Sequence, residues 1–332
     1  MAMNFKEGRW NHEINVTDFV KTNITPYEGD ASFLVGPTER TKAVWNKCLE
    51  ALAEERANNG VRSLDPSTVS TITSFAPGYI DKENEVIVGL QTDEVLRRAI
   101  KPFGGIKVVE KACRENGVEV DPKVKDIFTH YRKTHNDGVF DAYTEEIRSF
   151  RSLGFLTGLP DNYARGRIIG DYRRLALYGL DRLIEAKQND LRHLTGPMTD
   201  ARIRLREEVA EQIKALKEIK IMGEQYGLEL GRPAHNAQEA VQWVYMAYLA
   251  AVKEQDGAAM SLGNVSSFLD IYIEYDMAHG LLDEAHAQEL IDQFVIKLRM
   301  VRHLRMQAYT DIFAGDPTWV TESIGGRFND GR

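Results

Sequence analysis

The sequence has 332 residues, a formal net charge of −8, and 43% hydrophobic and 28% charged residues. This composition is typical of a soluble globular protein, and the negative charge argues against nucleic acid or an anionic membrane as a partner, because both favour a basic surface. The sequence contains no apolar run of about 18 residues or more, so it predicts no transmembrane helix, and its first residues lack a signal-peptide pattern. Two cysteines are too few for a disulfide framework. We therefore expect a cytoplasmic protein.

The first elements predicted along the chain are two helices with a strand between them. One helix runs from Thr38 to about Asn59, with Thr38 as its N-cap and Gly60 placed to end it. Residues 86–90 form a short apolar run of the kind found in buried strands. A second helix is predicted after Thr92, whose hydroxyl can cap the residues that follow.

The second half of the chain is mostly helical in pattern. Asn236 and Asp283 can each cap a helix, the first reaching about Gly257 and the second about Leu304. Residues 318–321 are a second β-prone run. A long amphipathic helix is predicted from apolar residues spaced four, four and three apart, which are Leu205, Val209, Ile213 and Leu216. Many helices between few strands indicate the α/β class, with some strands supplied from outside this chain.

The densest candidate for a functional site is residues 158–174, where four arginines and two tyrosines lie in a loop punctuated by Gly and Pro. Arginine suits a carboxylate because its planar fork donates two parallel hydrogen bonds and keeps its charge. A junction between a loop and a helix adds backbone N–H groups that can face an anion. The alternative is a set of surface arginines paired with Asp161 and Asp171. The residue pattern leaves both open.

Two further segments could line a ligand pocket. Residues 257–263 are small and flank a helix end, where a ligand or another backbone can approach closely, although a tight connection between helices has the same composition. Residues 313–319 place Phe and Trp around a turn, as a pocket wall or as ordinary core. No histidine spacing predicts a metal site. Cys48 and Cys113 lie in helical patterns with no histidine beside them, so we expect core cysteines.

Several long segments resemble pyruvate formate-lyase, or formate C-acetyltransferase, a glycyl-radical enzyme family. The resemblance runs almost end to end and is carried, in the same order as in the family, by residues 134–141, 158–174, 236–240, 257–263, 297–302 and 315–326. It implies an acyltransferase of anaerobic glucose fermentation that splits pyruvate, passes the acetyl group to coenzyme A and releases formate. In that family a backbone glycyl radical near the C-terminus generates a thiyl radical at a pair of adjacent cysteines.

The resemblance also implies site residues. Arg167 matches the family arginine that grips the pyruvate carboxylate. Ala258, Phe313 and Trp319 match residues that line the pyruvate and cysteine pocket. These residue types suit their implied roles, since they are a fork donor, a small residue and two apolar walls. We therefore expect the Arg167 side chain to point into a pocket bordered by the other three.

This chain departs from the family pattern in one important respect. It has neither a Cys-Cys pair nor the Arg-Val-Ser-Gly-Tyr segment that holds the glycyl radical, and the second carboxylate-binding arginine of the family has no match in it. We interpret residues 1–332 as the N-terminal part of the family domain, without the cysteine loop and the glycyl-radical domain. No catalytic residue and no bound cofactor are expected in this chain, and it should be inactive alone. The alternative is a binding or assembly module that works without catalysis.

The family fold implied by the resemblance is a ten-stranded barrel of two parallel half-sheets wrapped by helices. This chain would supply about the first half-barrel together with the outer helices. Open sheet edges and an uncovered apolar face favour association, so a homo-oligomer is expected. The partners implied for the full-length enzyme are pyruvate, coenzyme A and a radical-SAM activating enzyme.

Overall fold

A computed structural model describes residues 3–27, 29–100, 105–131, 143–156, 167–254, 259–312 and 320–324, and for residues 167–169, 259, 309–310 and 312 it describes the backbone only. Its helices are Val16–Asn23 (α1), Glu39–Ala57 (α2), Ile106–Glu115 (α3), Pro122–Asp126 (α4), Glu145–Ser152 (α5), Arg173–His193 (α6), Asp200–Gln225 (α7), Ala237–Glu254 (α8), Ser266–Ala278 (α9), Glu284–Arg299 (α10) and Gln307–Ile312 (α11). Its strands are Ser63–Val69 (β1), Arg97–Ile100 (β2), Arg167–Ile169 (β3) and Ala259–Ser261 (β4).

The strands form two small parallel pairs. Strand β1 pairs with β2, and β3 pairs with β4. One more parallel bridge widens each pair, between Ala99 and His303 in the first and between Gly263 and Glu322 in the second. Parallel neighbours require long crossover connections. Helices α6, α7 and α8 supply the connection from β3 to β4, whereas β1 and β2 are joined by a long segment of turns over residues 70–96. The predicted helix-rich α/β class is therefore confirmed.

The predicted helix starts are confirmed by their caps. Thr38, Asn236 and Asp283 each accept the backbone N–H of the residue three positions later, at 3.1, 2.8 and 2.8 Å. The predicted amphipathic helix is α7, in which Val209 and Ile213 are buried. These starts were predictable because a cap is a local interaction between residues close in the chain.

Residues 86–90 are buried except for the half-buried Val88, but they do not form the predicted strand. Side chains of the surrounding helices satisfy their backbone instead. Gln242 of α8 donates to the carbonyl of Val88 at 2.9 Å and accepts its N–H at 2.7 Å. Gln293 of α10 accepts the N–H of Val86 at 2.7 Å. An apolar run that finds such partners stays buried without joining a sheet.

The helix predicted after Thr92 is also wrong. Residues 91–96 form a turn in which the Thr92 hydroxyl donates to the carbonyl of Glu94 at 2.8 Å. Leu96 has a φ of +58°, outside the right-handed helical region, and β2 begins directly after it. The chain has to turn here to place β2 beside β1, and that requirement overrides the local helical preference.

Helix α10 ends at Arg299, before the predicted end near Leu304. Beyond it the side chain of Gln91 holds the backbone of Arg302, since its oxygen accepts the N–H of Arg302 at 3.1 Å and its amide group donates to the carbonyl of the same residue. The next residue, His303, forms the bridge to β2. Pairing with a strand remote in sequence therefore ends the helix.

The centre of the fold is α8, most of whose residues are buried against α6, α7, α9 and α10. The largest side chains of this core include Tyr178, Tyr245, Tyr248, Phe268 and Tyr272. Within the described ranges, no helix combines the length and the apolar character needed to cross a bilayer.

Candidate functional site

The backbone of the predicted carboxylate-binding arginine lies in β3. Arg167 is in register with Ala259, the first residue of β4, so the two backbones are direct neighbours. Ala258 precedes that residue in the chain but lies outside the described residues, and the Arg167 side chain is not described either. The fold therefore brings residue 167 beside the segment that carries one predicted pocket residue. The direction of the guanidinium stays a prediction.

A third chain segment joins the same sheet. The N–H of Leu262 donates to the carbonyl of Thr321 at 2.8 Å, and the N–H of Ser323 donates to the carbonyl of Gly263 at 2.8 Å. Residues 320–324 thus continue the sheet beyond β4. The predicted wall residues Phe313 and Trp319 lie outside the described residues. Segments that are far apart in sequence, and that each carry or adjoin a predicted site residue, meet in this one sheet.

The two loop arginines whose side chains the structure describes, Arg173 and Arg174, form salt bridges. Arg173 Nε lies 2.7 Å from Asp171 Oδ1, and Arg174 Nε lies 3.4 Å from Asp171 Oδ2. Arg173 also donates from Nη1 to the carbonyl of Asn264 at 3.1 Å, which ties the chain after β3 to the chain after β4. For these two arginines the alternative of pairing with Asp171 is correct. Arg165 lies outside the described residues.

Tyr172 closes the space directly after β3. A Cβ on Gly170 would lie 2.6 Å from Cε1 of the Tyr172 ring, so only glycine allows this ring position. The ring makes an edge contact with Tyr248 of α8, with 5.6 Å between ring centroids. Burial raises the pKa of the Tyr172 hydroxyl to about 12 and keeps it neutral. Tyr172 is one of the two tyrosines of the predicted loop, but the sequence pattern did not predict its burial.

Glu322 occupies a position that sequence reasoning missed. It bridges to Gly263, and its carboxylate accepts hydrogen bonds from the backbone N–H groups of Val265 and Ser266 at the start of α9. Burial is the largest influence on this carboxyl and raises its pKa, while those hydrogen bonds oppose the rise. Glu322 thereby fastens residues 320–324 to the first turn of α9. No local pattern marks it, because its partners lie far from it in sequence.

The two cysteines are core residues, as predicted. Cys48 and Cys113 are both buried and free. Burial raises the pKa of the Cys48 thiol to about 12 and also raises the pKa of Cys113. Neither therefore provides the thiolate that a nucleophile needs at neutral pH. Among the residues that the structure describes, no group of three His, Cys, Asp or Glu side chains is placed to hold a metal ion.

The chain is similar to proteins of known activity and fold. Residues 7–332 match the family model "Pyruvate formate lyase-like". The chain is 55% identical over 333 aligned positions to the formate acetyltransferase of Haemophilus influenzae. That match covers 99% of this chain but only 43% of the relative's length.

Solved structures with low sequence identity share the fold. The glycerol-bound B12-independent glycerol dehydratase from Clostridium butyricum superposes with a TM-score of 0.64 at 17% identity, covering 91% of this chain and 45% of that one. The hydroxyproline dehydratase from Clostridioides difficile gives a TM-score of 0.62 at 15% identity, covering 90% and 44%. These structures support the predicted partial barrel, and the family match covers nearly the whole sequence. The chain belongs to the pyruvate formate lyase-like family.

Proposed function

We propose that this chain is the N-terminal part of a formate acetyltransferase, an enzyme that converts pyruvate and coenzyme A into acetyl-CoA and formate through glycyl and thiyl radicals. The observation that carries the proposal is the 55% identity to the Haemophilus enzyme over 99% of this chain. In this proposal residues 1–332 hold the pyruvate-binding side of the domain. The cysteine pair, the glycyl radical and the second arginine belong to the remainder of the enzyme, which needs coenzyme A as co-substrate and a radical-SAM activating enzyme.

The proposed role of Arg167 is to hold the pyruvate carboxylate. Its backbone neighbours Ala259 in a sheet that also includes residues 320–324, so Ala258 and Trp319 are attached to adjoining strands. The Asp171 carboxylate already pairs with two arginines other than Arg167, namely Arg173 and Arg174. Apolar walls would exclude water and strengthen the charge-assisted hydrogen bonds of the guanidinium.

The second candidate is an assembly module that works without catalysis. No specific feature of the described residues favours it over the enzyme. Continuation of the reading frame after Arg332 into a Cys-Cys segment would support the enzyme, whereas a stop codon there would support the module.

We expect this chain alone to form no acetyl-CoA or formate from pyruvate and coenzyme A, even with an activating enzyme and S-adenosylmethionine. Its only cysteines are buried and have raised pKa values, so none can carry the acetyl group. An anaerobic assay for both products tests this, with the full-length enzyme as the positive control. Turnover by the chain above background would refute the inactivity.

Replacing Arg167 by lysine in the full-length enzyme is expected to weaken pyruvate binding by about 1.5–3 kcal/mol, because lysine keeps the charge but lacks the fork. This corresponds to a rise in Kd of about 10-fold to 150-fold. Calorimetric titration of the enzyme without its radical measures the Kd. Arg174→Lys is the matched control, because Arg174 lies in the same loop and is already paired with Asp171. Equal effects of the two substitutions would contradict the role of Arg167.

Self-association of the isolated chain is also expected. Each sheet is narrow within the described residues, and Tyr131, Phe155 and Ile324 are exposed by 81%, 75% and 85%. Uncovered apolar surface of this kind drives association or binds a hydrophobic dye. Light scattering and dye fluorescence test this, and a monomer that does not bind dye would show that the core closes locally.

A further inference from the structure

A cavity of about 570 Å³ lies where the first turns of α2, α8 and α10 meet the loop between α9 and α10. This volume falls within the range of small-molecule sites, about 300–1,000 Å³. Opposite charges and apolar side chains line the cavity together. The charged residues include Arg40 and Glu289, and the apolar ones are Val86, Leu281, Leu282 and Leu290.

Glu289 is the buried charge of this cavity and is only 2% exposed. Its Oε1 accepts the hydroxyl of Thr38 at 2.5 Å, and its Oε2 lies 3.7 Å from Arg40 Nη1. Charge-assisted hydrogen bonds are about 2.7–2.9 Å long, so the Arg40 guanidinium is near but does not donate. Within the described ranges, Thr38 is the one hydrogen-bond donor to this carboxylate. Because a buried carboxylate needs several donors, Oε2 is open to a donor that enters the cavity.

Arg40 has unused donors beside that oxygen. Its side chain is 48% exposed, and in the part of the chain that the structure describes it donates no hydrogen bond. A guanidinium carries five N–H donors whose fork suits a carboxylate. Asp283, another carboxylate at the cavity, already caps α10 by accepting the N–H of His286 at 2.8 Å. The cavity thus presents one open carboxylate oxygen next to one open guanidinium.

This arrangement disfavours ligands with a single charge. A cation would be attracted by Glu289 but repelled by Arg40, and an anion would meet the reverse, because the two charged groups are 3.7 Å apart. A molecule that carries an ammonium and a carboxylate on one carbon satisfies both groups at once. The cavity also has an apolar side, since Leu290 is buried there and Leu281 is 70% exposed. An aliphatic group would remove this surface from water.

We propose that this cavity binds the zwitterion of a small aliphatic α-amino acid. Glu289 Oε2 accepts hydrogen bonds from the ligand's ammonium, the Arg40 guanidinium donates to its carboxylate, and Leu281 and Leu290 pack against its side chain. This site does not depend on the proposed function, because its residues lie outside β3, β4 and residues 320–324.

The test uses residues 1–332 and L-leucine, with the Kd measured by saturation-transfer NMR. Two analogues separate the charges, because 4-methylpentanoate lacks the ammonium of leucine and 3-methylbutylamine lacks its carboxylate. The variants are Glu289→Gln and Arg40→Gln. Arg204→Gln is the matched control, since Arg204 is an exposed arginine that pairs with Asp200 on α7.

We expect leucine to bind and each analogue to bind at least about tenfold more weakly. Glu289→Gln and Arg40→Gln should each raise the Kd for leucine at least about tenfold, whereas Arg204→Gln should leave it unchanged. If Glu289→Gln does not fold, Arg40→Gln decides, since Arg40 is half exposed. The proposal is overturned if the unsubstituted chain does not bind leucine, if either analogue binds as tightly as leucine, or if Arg40→Gln leaves the Kd unchanged.

Discussion

Replacing Lys297 by methionine is expected to lower the free energy of unfolding of this chain by about 3–5 kcal/mol, which is the usual cost of leaving one buried charge without its partner. Lys297 Nζ lies 2.7 Å from Glu85 Oε2, and both side chains are fully buried. The ammonium also donates to the carbonyl of Gly89 at 3.2 Å. The opposite carboxylate oxygen accepts the N–H of Asp81 at 2.9 Å and that of Ile80.

The pair has a structural role because it attaches the chain around Glu85 to α10. Urea unfolding followed by circular dichroism measures the loss of stability. Adding Glu85→Gln to Lys297→Met should recover part of it, because the neutral amide oxygen can still accept the backbone N–H groups. Additive losses from the two substitutions would mean that the residues are not coupled. The control is Lys220→Met, which breaks an exposed pair and should cost about 0–1 kcal/mol.

Replacing Gly179 by alanine is expected to be similarly damaging. Gly179 has a φ of +71° and a ψ of 160° inside α6, a conformation open almost only to glycine, and other residues there lose about 1–3 kcal/mol. A Cβ would lie 2.5 Å from the carbonyl oxygen of Gly231 and 2.8 Å from Cα of Arg232. Overpacking adds about 1–3 kcal/mol more. The kink exists because Leu180 donates its N–H to the carbonyl of Leu230 at 2.8 Å instead of to its own helix.

The matched control for this prediction is Gly227→Ala. Gly227 also has a positive φ, +74°, but nothing lies within 4 Å of a Cβ placed there. Its substitution should cost only the backbone strain of about 1–2 kcal/mol. Urea unfolding of both variants separates strain from collision. If Gly179→Ala cost no more than Gly227→Ala, the close approach of the 231–232 backbone would not matter to stability.

The elements predicted correctly were those fixed by nearby residues. Thr38, Asn236 and Asp283 cap helices because each needs only an N–H three residues away. The predictions of a strand at residues 86–90 and of a helix after Thr92 were wrong, because contacts with residues distant in sequence determine the structure of both segments. Gln242 and Gln293 satisfy the backbone of the first, and the pairing of β2 with β1 sets the second.

For the candidate site, the sequence predicted the residue types and indicated a family resemblance. The fold showed which segments lie next to one another. The arginine loop was identified from composition alone, but its pattern could not separate Arg167 from Arg173 and Arg174. The structure separates them, because Arg173 and Arg174 form salt bridges with Asp171 of the same loop. Glu322 had no signal in the sequence, because the N–H groups that it binds belong to a helix that begins 56 residues earlier, at Ser266.

By itself, the sequence determined the α/β class, the main helix starts and the absence of a cysteine pair, because these depend on composition and on contacts within one helical turn. Only the tertiary structure decided which buried groups meet. Glu85 and Lys297 form a buried ion pair although they are 212 positions apart in the sequence, and Arg167 and Ala259 are paired in a sheet although they are 92 positions apart. Such pairs form because parallel pairing and helix packing bring remote segments together, and no local pattern encodes that geometry.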